Sequence, residues 1–259
     1  RDGRISEWFC PWADSGVFRF ACRAFDLTLS RRREPSGPGS PPSFSMSKPP
    51  LFELIDVTVR FGDVVALERG SLRVEEGARI VLRGPSGSGK STILRLLLGF
   101  VRPSEGEVRF RGESLTPALA DTVRETVAFV PQEFDFEEGT VNEIVDDFFG
   151  LRTFRERPKT EALDDAWQRL GLPRGIGERR MRELSGGEKQ RVALALATLT
   201  GRSFFLLDEP TASLDGAAKQ SVADFFLGDG EREGALIVSH DEVWNRPKDA
   251  DVIELGRPD

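Results

Sequence analysis

The stretch Gly84-Pro85-Ser86-Gly87-Ser88-Gly89-Lys90-Ser91 decides the fold of this 259-residue chain, because it fits the phosphate-binding pattern G-x-x-x-x-G-K-[ST]. Residues 79–83, which precede it, form a short apolar run that predicts a strand, and residues 92–98 have the length and composition of a helix. A glycine-rich loop in that position lets backbone N–H groups turn toward a phosphate, and the helix N-terminus adds partial positive charge. The sequence therefore predicts a phosphate site at this loop.

Two side chains of the loop have predicted roles of their own. Lys90 is expected to reach the outer phosphates of a nucleotide, and Ser91 to place its hydroxyl on Mg²⁺, a hard cation that prefers oxygen ligands. The predicted nucleotide-binding set here is Gly84, Pro85, Ser86, Gly87, Ser88, Gly89, Lys90, Ser91 and Thr92. A glycine- and serine-rich turn without a ligand is the alternative, and the flanking strand and helix argue against it.

A pair of carboxylates, Asp208-Glu209, follows the continuous apolar run of residues 203–207. A run without alternation is typical of a central parallel strand that is covered on both faces. Ligands of open α/β sheets gather at the carboxyl ends of such strands, so Asp208 is predicted to hold Mg²⁺ and Glu209 to act as general base on the attacking water. The pair could instead cap the next helix, but the phosphate loop favours the catalytic interpretation.

A third motif, Leu184-Ser185-Gly186-Gly187-Glu188-Lys189-Gln190-Arg191, resembles the signature of the ATP-binding-cassette (ABC) ATPase family. Residues 208–215 are similar to the strand carboxylates and the D-loop of the same family, and the resemblance runs from about residue 51 to about residue 255. It implies an α/β fold, a P-loop NTPase with a RecA-like parallel core sheet, a small antiparallel β subdomain and an inserted α-helical subdomain. It also implies ATP and Mg²⁺ as cofactors.

The resemblance implies further site residues. Gln132 would be the Q-loop residue that touches Mg²⁺ and the water, His240 the switch histidine on the γ-phosphate, and Phe61 the ring that stacks on adenine. Taken singly, these could be a surface Gln after a proline turn, a structural His and an ordinary strand Phe. Ser239-His240-Asp241 is not expected to be a hydrolase triad, because neighbouring strand side chains point to opposite faces.

The signature also implies a dimer. Ser185, Gly186 and Gly187 offer donors at a second helix start, and in the family they close on the nucleotide that a second copy holds. The chain carries one complete set of motifs, so a head-to-tail pair of identical copies would form two composite ATP sites. Asp215 of the D-loop would then couple the two sites.

The domain organisation is predicted as an N-terminal extension, residues 1–50, followed by an ABC ATPase domain, residues 51–259. The extension holds both cysteines and a Pro/Gly/Ser-rich stretch typical of disorder, and Met46 is expected to be the true start. The alternative is a genuine disordered basic extension that touches anionic lipid. An antiparallel sheet is expected over residues 51–82, joined by 107–111, and a helical subdomain over about 134–190. Near its start Phe134, Phe136, Phe148 and Phe149 form either a docking groove or subdomain core.

The predicted function is that of an ATP-hydrolysing subunit that powers a membrane ABC transporter through ATP-driven dimer closure. No apolar run approaches the ~18 residues of a membrane span, so the integral membrane permease is expected on a separate chain. The protein would be cytoplasmic and peripheral on the inner face of the membrane. No nucleic-acid partner is expected, because the chain has a net charge of −7 in which the first fifty residues contribute +3 and residues 51–259 contribute −10.

Two questions about this function stay open at the level of sequence. The alternative is a soluble or mechanotransmission-type ABC ATPase that does not drive conventional transport. The short body and the ending soon after His240 resemble small cassettes of the iron-export type. The transported substrate and the direction of transport are not written in a cassette.

Overall fold

The computed structural model describes residues 48–256 apart from 134–138, 152–153, 155–156, 229–232 and 247. The expectations on residues 1–47, including Met46 as the start, and on Phe134 and Phe136 lie outside the described residues. The strands, in chain order, are β1 (Phe52–Phe61), β2 (Val64–Val74), β3 (Arg79–Arg83), β4 (Glu105–Phe110), β5 (Glu113–Ser114), β6 (Val127–Val130), β7 (Phe204–Asp208), β8 (Gly234–Val238) and β9 (Asp251–Glu254). The α-helices are α1 (Lys90–Leu97), α2 (Pro117–Thr126), α3 (Val141–Phe149), α4 (Thr160–Arg169), α5 (Gly186–Thr198) and α6 (Gly216–Leu227).

The strands form two sheets. One is parallel, with the order β6-β7-β8-β3-β9, and the other is antiparallel, with the order β2-β1-β4-β5. Every residue of β7 and β8 is buried, as the continuous apolar runs predict for strands covered on both faces. The predicted parallel core sheet and antiparallel sheet are therefore confirmed.

One strand differs from its expected sheet. The expected antiparallel range of residues 51–82 includes most of β3, but antiparallel pairing ends at Val74 and β3 pairs in parallel with β8 and β9. The physical reason is the burial of the central residues of β3 on both faces, from Ile80 to Leu82, which suits the covered sheet. This placement puts the loop after β3 at the carboxyl edge of the parallel sheet.

Helix α1 anchors the phosphate loop because it packs against both sheets. Leu94, Leu96 and Leu97 have no solvent exposure and join one cluster with Phe52 of β1 and Phe204 of β7. Burying each leucine contributes about 1.5–3 kcal/mol. The start of α1, where Lys90 lies, is therefore held by the main core and not by the loop alone.

The segment between β6 and β7 is helical in its described part. Helix α3 begins with a capping box, in which the Thr140 hydroxyl accepts from the Glu143 amide and the Glu143 carboxylate accepts from the Thr140 amide. Phe148 and Phe149 are buried and pack with Phe154 at ring-centroid distances of 4.8–5.0 Å. Phe148 and Phe149 are therefore part of the core and do not line an open docking groove. Within the described residues, no helix is both long and apolar enough to cross a membrane.

Candidate functional site: a nucleotide cleft at the carboxyl edge of the parallel sheet

The loop between β3 and α1 wraps around a buried lysine. The Lys90 Nζ donates to the carbonyl oxygens of Gly84 and Pro85 at 2.8 Å each and lies 3.4 Å from the Ser88 Oγ. Gly89 has φ 88°, and a Cβ there would lie 2.4 Å from the Ala66 carbonyl oxygen, so only glycine fits this close approach. The loop thus holds the ammonium group at the foot of the cleft.

Burial and nearby carboxylates shift the pKa of Lys90 in opposite directions. Its side chain is almost wholly buried, which lowers the pKa, while the carboxylates of Glu209 and Asp208 act in the opposite direction. The lysine is therefore a desolvated cation whose present partners are backbone carbonyls. An arriving anion replaces these weak neutral acceptors with charge-assisted hydrogen bonds.

Asp208 and Ser91 meet across the sheet edge. The Ser91 hydroxyl donates to the Asp208 Oδ1 at 3.2 Å. Burial raises the pKa of Asp208, and the hydrogen bond from Ser91 together with the charges of Arg95 and Lys90 acts against that rise. A hydroxyl and a carboxylate oxygen are ligands that suit Mg²⁺, which takes one or two protein carboxylates and fills its other positions with water and phosphate. The described residues contain no cluster of three or more His, Cys, Asp or Glu side chains arranged for a metal.

Glu209 adopts a left-handed backbone conformation, with φ 46°, that non-glycine residues seldom adopt. Its amide donates to the Val238 carbonyl at 2.8 Å, which ties the end of β7 to the end of β8. The His240 amide donates to the Glu209 Oε2 at 3.3 Å, and the His240 Nε2 lies 3.4 Å from the Glu209 Oε1. Burial raises the pKa of Glu209, while the amide and the charge of His240 oppose that rise. The fold therefore brings a desolvated carboxylate and the imidazole into contact.

These groups border one open cleft of about 630 Å³. Of the predicted site residues, the cleft brings together Ser86, Gly87, Gly89, Lys90, Ser91, Thr92, Gln132, Glu209 and His240. Gly84, Pro85 and Ser88 contact Lys90 from the side of the loop, and Asp208 lies behind Ser91. Phe61 does not line the cleft; it is 49% exposed and pairs across the turn with Val64, which does line it.

The structure adds cleft residues that the sequence reasoning missed. Val64, Val65 and Ala66 of β2 line the cleft, and so do Lys219, Asp241, Ala212 and Val238. For Val64, Val65 and Ala66, the sequence offered only their closeness to Phe61, which was itself a predicted site residue. No sequence motif marks Lys219 as a cleft residue, because its position in the cleft depends on how α6 packs against the segment after β8.

The signature residues do not lie in this cleft. Ser185 caps α5 with a capping box: its Oγ accepts from the Glu188 amide at 3.2 Å, and the Glu188 Oε2 accepts from the Ser185 amide at 2.8 Å. Ser185 and Gly186 are exposed, and a Cβ at Gly187 would lie 2.9 Å from the Ser213 carbonyl oxygen. The signature helix thus starts at an open surface and packs closely on the D-loop of its own chain.

Asp215 has a local partner in the structure. Its Oδ1 accepts from the Ala218 amide at 2.9 Å and caps α6, which is a role that the sequence reasoning did not give it. The neighbouring residues Ser239, His240 and Asp241 do not converge as a triad would. The Ser239 Oγ accepts from the Asp241 amide, and the Asp241 carboxylate contacts Thr211 and Lys219.

The fold and the cleft define a P-loop nucleotide-binding protein, with its phosphate loop, buried carboxylate and serine at the carboxyl edge of a parallel sheet. A family model described as ABC transporter matches residues 67–212, and the chain belongs to this family.

Curated relatives support the same assignment. The chain is 37% identical over 194 residues to the sulfate/thiosulfate import ATP-binding protein CysA of Mycobacterium tuberculosis, a match that covers 73% of this chain and 54% of the relative. It is 35% identical over 202 residues to the spermidine/putrescine import ATP-binding protein PotA of Mesoplasma florum, with 74% and 55% covered. The chain spans about half the length of these curated relatives.

Solved structures with a similar fold include a dimeric ATP-binding cassette and an ABC exporter. The ATP-binding cassette MJ0796, in a dimeric post-hydrolysis state bound to ADP and Pi, superimposes with a TM-score of 0.65 at 27% identity, covering 79% of this chain and 94% of that one. A bacterial Atm1-family ABC exporter with ATP bound gives a TM-score of 0.68 at 26% identity, covering 82% and 40%. The iron-export subtype stays a prediction.

Proposed function

We propose that this chain is the ATP-binding and ATP-hydrolysing subunit of a membrane ABC transporter. The observation that carries the proposal is the convergence of Lys90, the Ser91–Asp208 pair and the Glu209–His240 pair on one cleft, in a chain of the ABC transporter family. The members of each pair are far apart in sequence, by 117 positions for Ser91 and Asp208 and by 31 for Glu209 and His240. A purely structural use of these groups would not require Lys90, Ser91, Glu209 and His240 to border one open cavity, with Asp208 bonded to Ser91 behind it.

The cleft residues divide the work of hydrolysis. Lys90 and the loop amides bind the phosphates of ATP, and Ser91, Asp208 and Gln132 supply oxygen ligands for Mg²⁺, which neutralises phosphate charge when bound. The ionised carboxylate of Glu209 accepts a hydrogen bond from the attacking water, orients it and acts as general base. His240 holds the Glu209 carboxylate and faces the outer phosphate.

The partners are a second copy of the chain and a separate membrane permease. Ser185, Gly186 and Gly187 would close on the nucleotide in the copy's cleft, with Asp215 near the junction, because the signature start is exposed and lies outside its own cleft. The helices between residues 134 and 190 form the proposed subdomain that contacts the permease. The chain would work in the cytoplasm, on the inner face of the membrane, and no nucleic acid is among the proposed partners.

Two measurements on the native complex test this function. Purified protein should hydrolyse Mg-ATP, and the tagged chain should co-purify a polytopic membrane protein from membranes extracted in mild detergent. Recovery of ribosomal or DNA-repair proteins without any membrane partner would contradict the transport proposal and leave the ATPase activity in place. The identity of the permease would separate import, which the relatives CysA and PotA serve by name, from export.

Ser185→Asp and Ser185→Asn separate the local and the dimeric roles of the signature serine. Both replacements cap helices as well as serine does, so the melting temperatures should stay within a few degrees of the parent. Only the aspartate places a negative charge where the second copy's phosphates would lie, which costs about 1–4 kcal/mol at 4 Å. Light scattering with ATP, in a Glu209→Gln background, should show a dimer with asparagine and a monomer with aspartate. Equal dimerisation of the two variants would contradict the composite site.

Phe61→Ala should weaken ATP affinity, because base–aromatic stacking contributes about 1–3 kcal/mol per base. The exposed ring has little packing to lose, so the melting temperature should change little. Phe61→Tyr keeps the ring and serves as the control with parent affinity. The measurement is calorimetric titration with ATP and Mg²⁺; equal affinity of the alanine and tyrosine variants would remove Phe61 from the adenine site.

A further inference from the structure

A hydrogen-bonded group joins the loop after β7 to the loop after β8. The Asp241 Oδ1 accepts from the Lys219 Nζ at 2.6 Å, and the Asp241 Oδ2 accepts from the Thr211 hydroxyl. The Trp244 Nε1 donates to the Thr211 Oγ1 at 3.0 Å. Two loops and helix α6 thus meet at one carboxylate.

Because two of its members are buried, this group can form only one pattern of hydrogen bonds. Thr211 and Trp244 have no solvent exposure, so the Thr211 hydroxyl must donate to Asp241 while its lone pair accepts from Trp244. Burial alone would raise the pKa of Asp241, but the hydrogen bonds from Lys219 and Thr211 outweigh it and the pKa is lowered. The carboxylate is therefore charged and fully engaged at neutral pH.

Each end of the group is next to a reacting residue. Asp241 follows His240 directly, and Thr211 is two positions after Glu209. The His240 imidazole is about half exposed, and Glu209 is its one side-chain partner among the described residues. An exposed ring with a single contact at 3.4 Å does not hold its own position, so the position must come from the backbone on either side.

The backbone beyond His240 is held on its other side as well. The Arg83 Nη2 lies 2.5 Å from the Glu242 Oε1 and 3.4 Å from the His240 carbonyl oxygen. The Glu242 side chain is 79% exposed, so solvent weakens this pair. Asp241, whose partners include the fully buried Thr211, is the stronger of the two anchors.

We propose that Asp241 is a positioning residue that, through Thr211 and Lys219, holds His240 against Glu209 in the cleft. This inference rests on the proposed ATPase function and names a residue that acts on the reaction through His240. Lys219 lies on α6, which begins directly after the D-loop at Asp215. A movement of the D-loop therefore carries Thr211 and Lys219 together and reaches His240 through Asp241.

The single histidine of the chain gives a direct test by NMR. In full-length protein without a histidine tag, the His240 ring gives the only imidazole signals. Asp241→Asn removes the charge and should move these signals toward those of an unstructured histidine. Lys219→Met removes the ion pair from the other side and should act in the same direction.

Asp224→Asn is the matched control. Asp224 also joins α6 to the segment after β8, through an ion pair with Arg246 at 2.7 Å, but it does not line the cleft. This variant should leave the imidazole signals where they are in the parent. Unchanged signals in Asp241→Asn and Lys219→Met, or equal shifts in the control, would overturn the proposal.

The kinetic test separates positioning from a general loss of stability. Asp241→Asn should lower kcat about 10- to 100-fold, the range expected for a misplaced reacting group, with the Kd for ATP unchanged because Lys90 and its loop are intact. Combined with His240→Ala it should cause no further loss, since the two residues act as a unit. A normal kcat, or losses that add, would overturn the proposal. A parent protein without ATPase activity would refute the proposed function alone, because the NMR comparison decides the position of His240 independently.

Discussion

Glu209→Gln should bind ATP at parent affinity, accumulate as a closed dimer and lose turnover by about 10²- to 10⁴-fold, the contribution of a general base. The amide oxygen of glutamine can still accept from the His240 amide, so the contact between the two loops is kept. The left-handed backbone at this position is equally available to Glu and Gln, so the fold should be unaffected. What is lost is the carboxylate that accepts the proton of the attacking water.

The measurement is steady-state phosphate release, together with light scattering in the presence of ATP. Asp224→Asn is a suitable control, because this carboxylate lies on α6, pairs with Arg246 at 2.7 Å and does not line the cleft. It should retain most of the parent rate. Hydrolysis by Glu209→Gln at the parent rate would show that another group is the general base.

Lys90→Ala should abolish measurable ATP binding at concentrations that saturate the parent. The ammonium group is desolvated and surrounded by the Gly84 and Pro85 carbonyls, so it is oriented before a nucleotide arrives. Hydrogen bonds that involve a charged group contribute about 1.5–3 kcal/mol each, so two such bonds to phosphate correspond to a loss of at least about 100-fold in affinity. Alanine also removes the donor that joins the two carbonyl oxygens, which are both acceptors and would then rely on water, so the loop loosens.

Calorimetric titration with Mg-ATP measures this effect. The control is Lys159→Ala, which removes an exposed lysine just before α4 and outside the cleft. Its affinity for ATP should equal that of the parent. If Lys90→Ala binds ATP as the control does, the phosphates do not lie in the loop of residues 84–91.

Local patterns were sufficient to predict the parts of the site that depend on neighbours in sequence. The loop before α1 follows from glycine spacing, and the all-buried β7 follows from its run of apolar residues. The start of α5 was predicted at Ser185-Gly186-Gly187, and the structure shows that a capping box of Ser185 and Glu188 forms it. In each case the determining contacts lie within four residues, so the sequence carries them directly.

Long-range pairing was predicted less well. The assignment of β3 to the antiparallel sheet was wrong in part, because an apolar strand of five residues fits either sheet until its partners are known. The cap that Asp215 forms on α6 is different, because it is a local contact with the amide of Ala218 that the interpretation of its motif left out.

By itself, the sequence determined the family and the phosphate loop between a strand and a helix, and it singled out Lys90, Ser91, Asp208, Glu209 and His240, which the fold brings to one cleft. Only the tertiary structure decided that Val64, Val65 and Ala66 line the cleft, and that Thr211, Lys219 and Asp241 join the loops after β7 and β8. The physical reason is that motif residues act through local backbone geometry, whereas these contacts arise when α6 and β2 pack against the parallel sheet. Such packing depends on the whole core and leaves no short pattern in the chain.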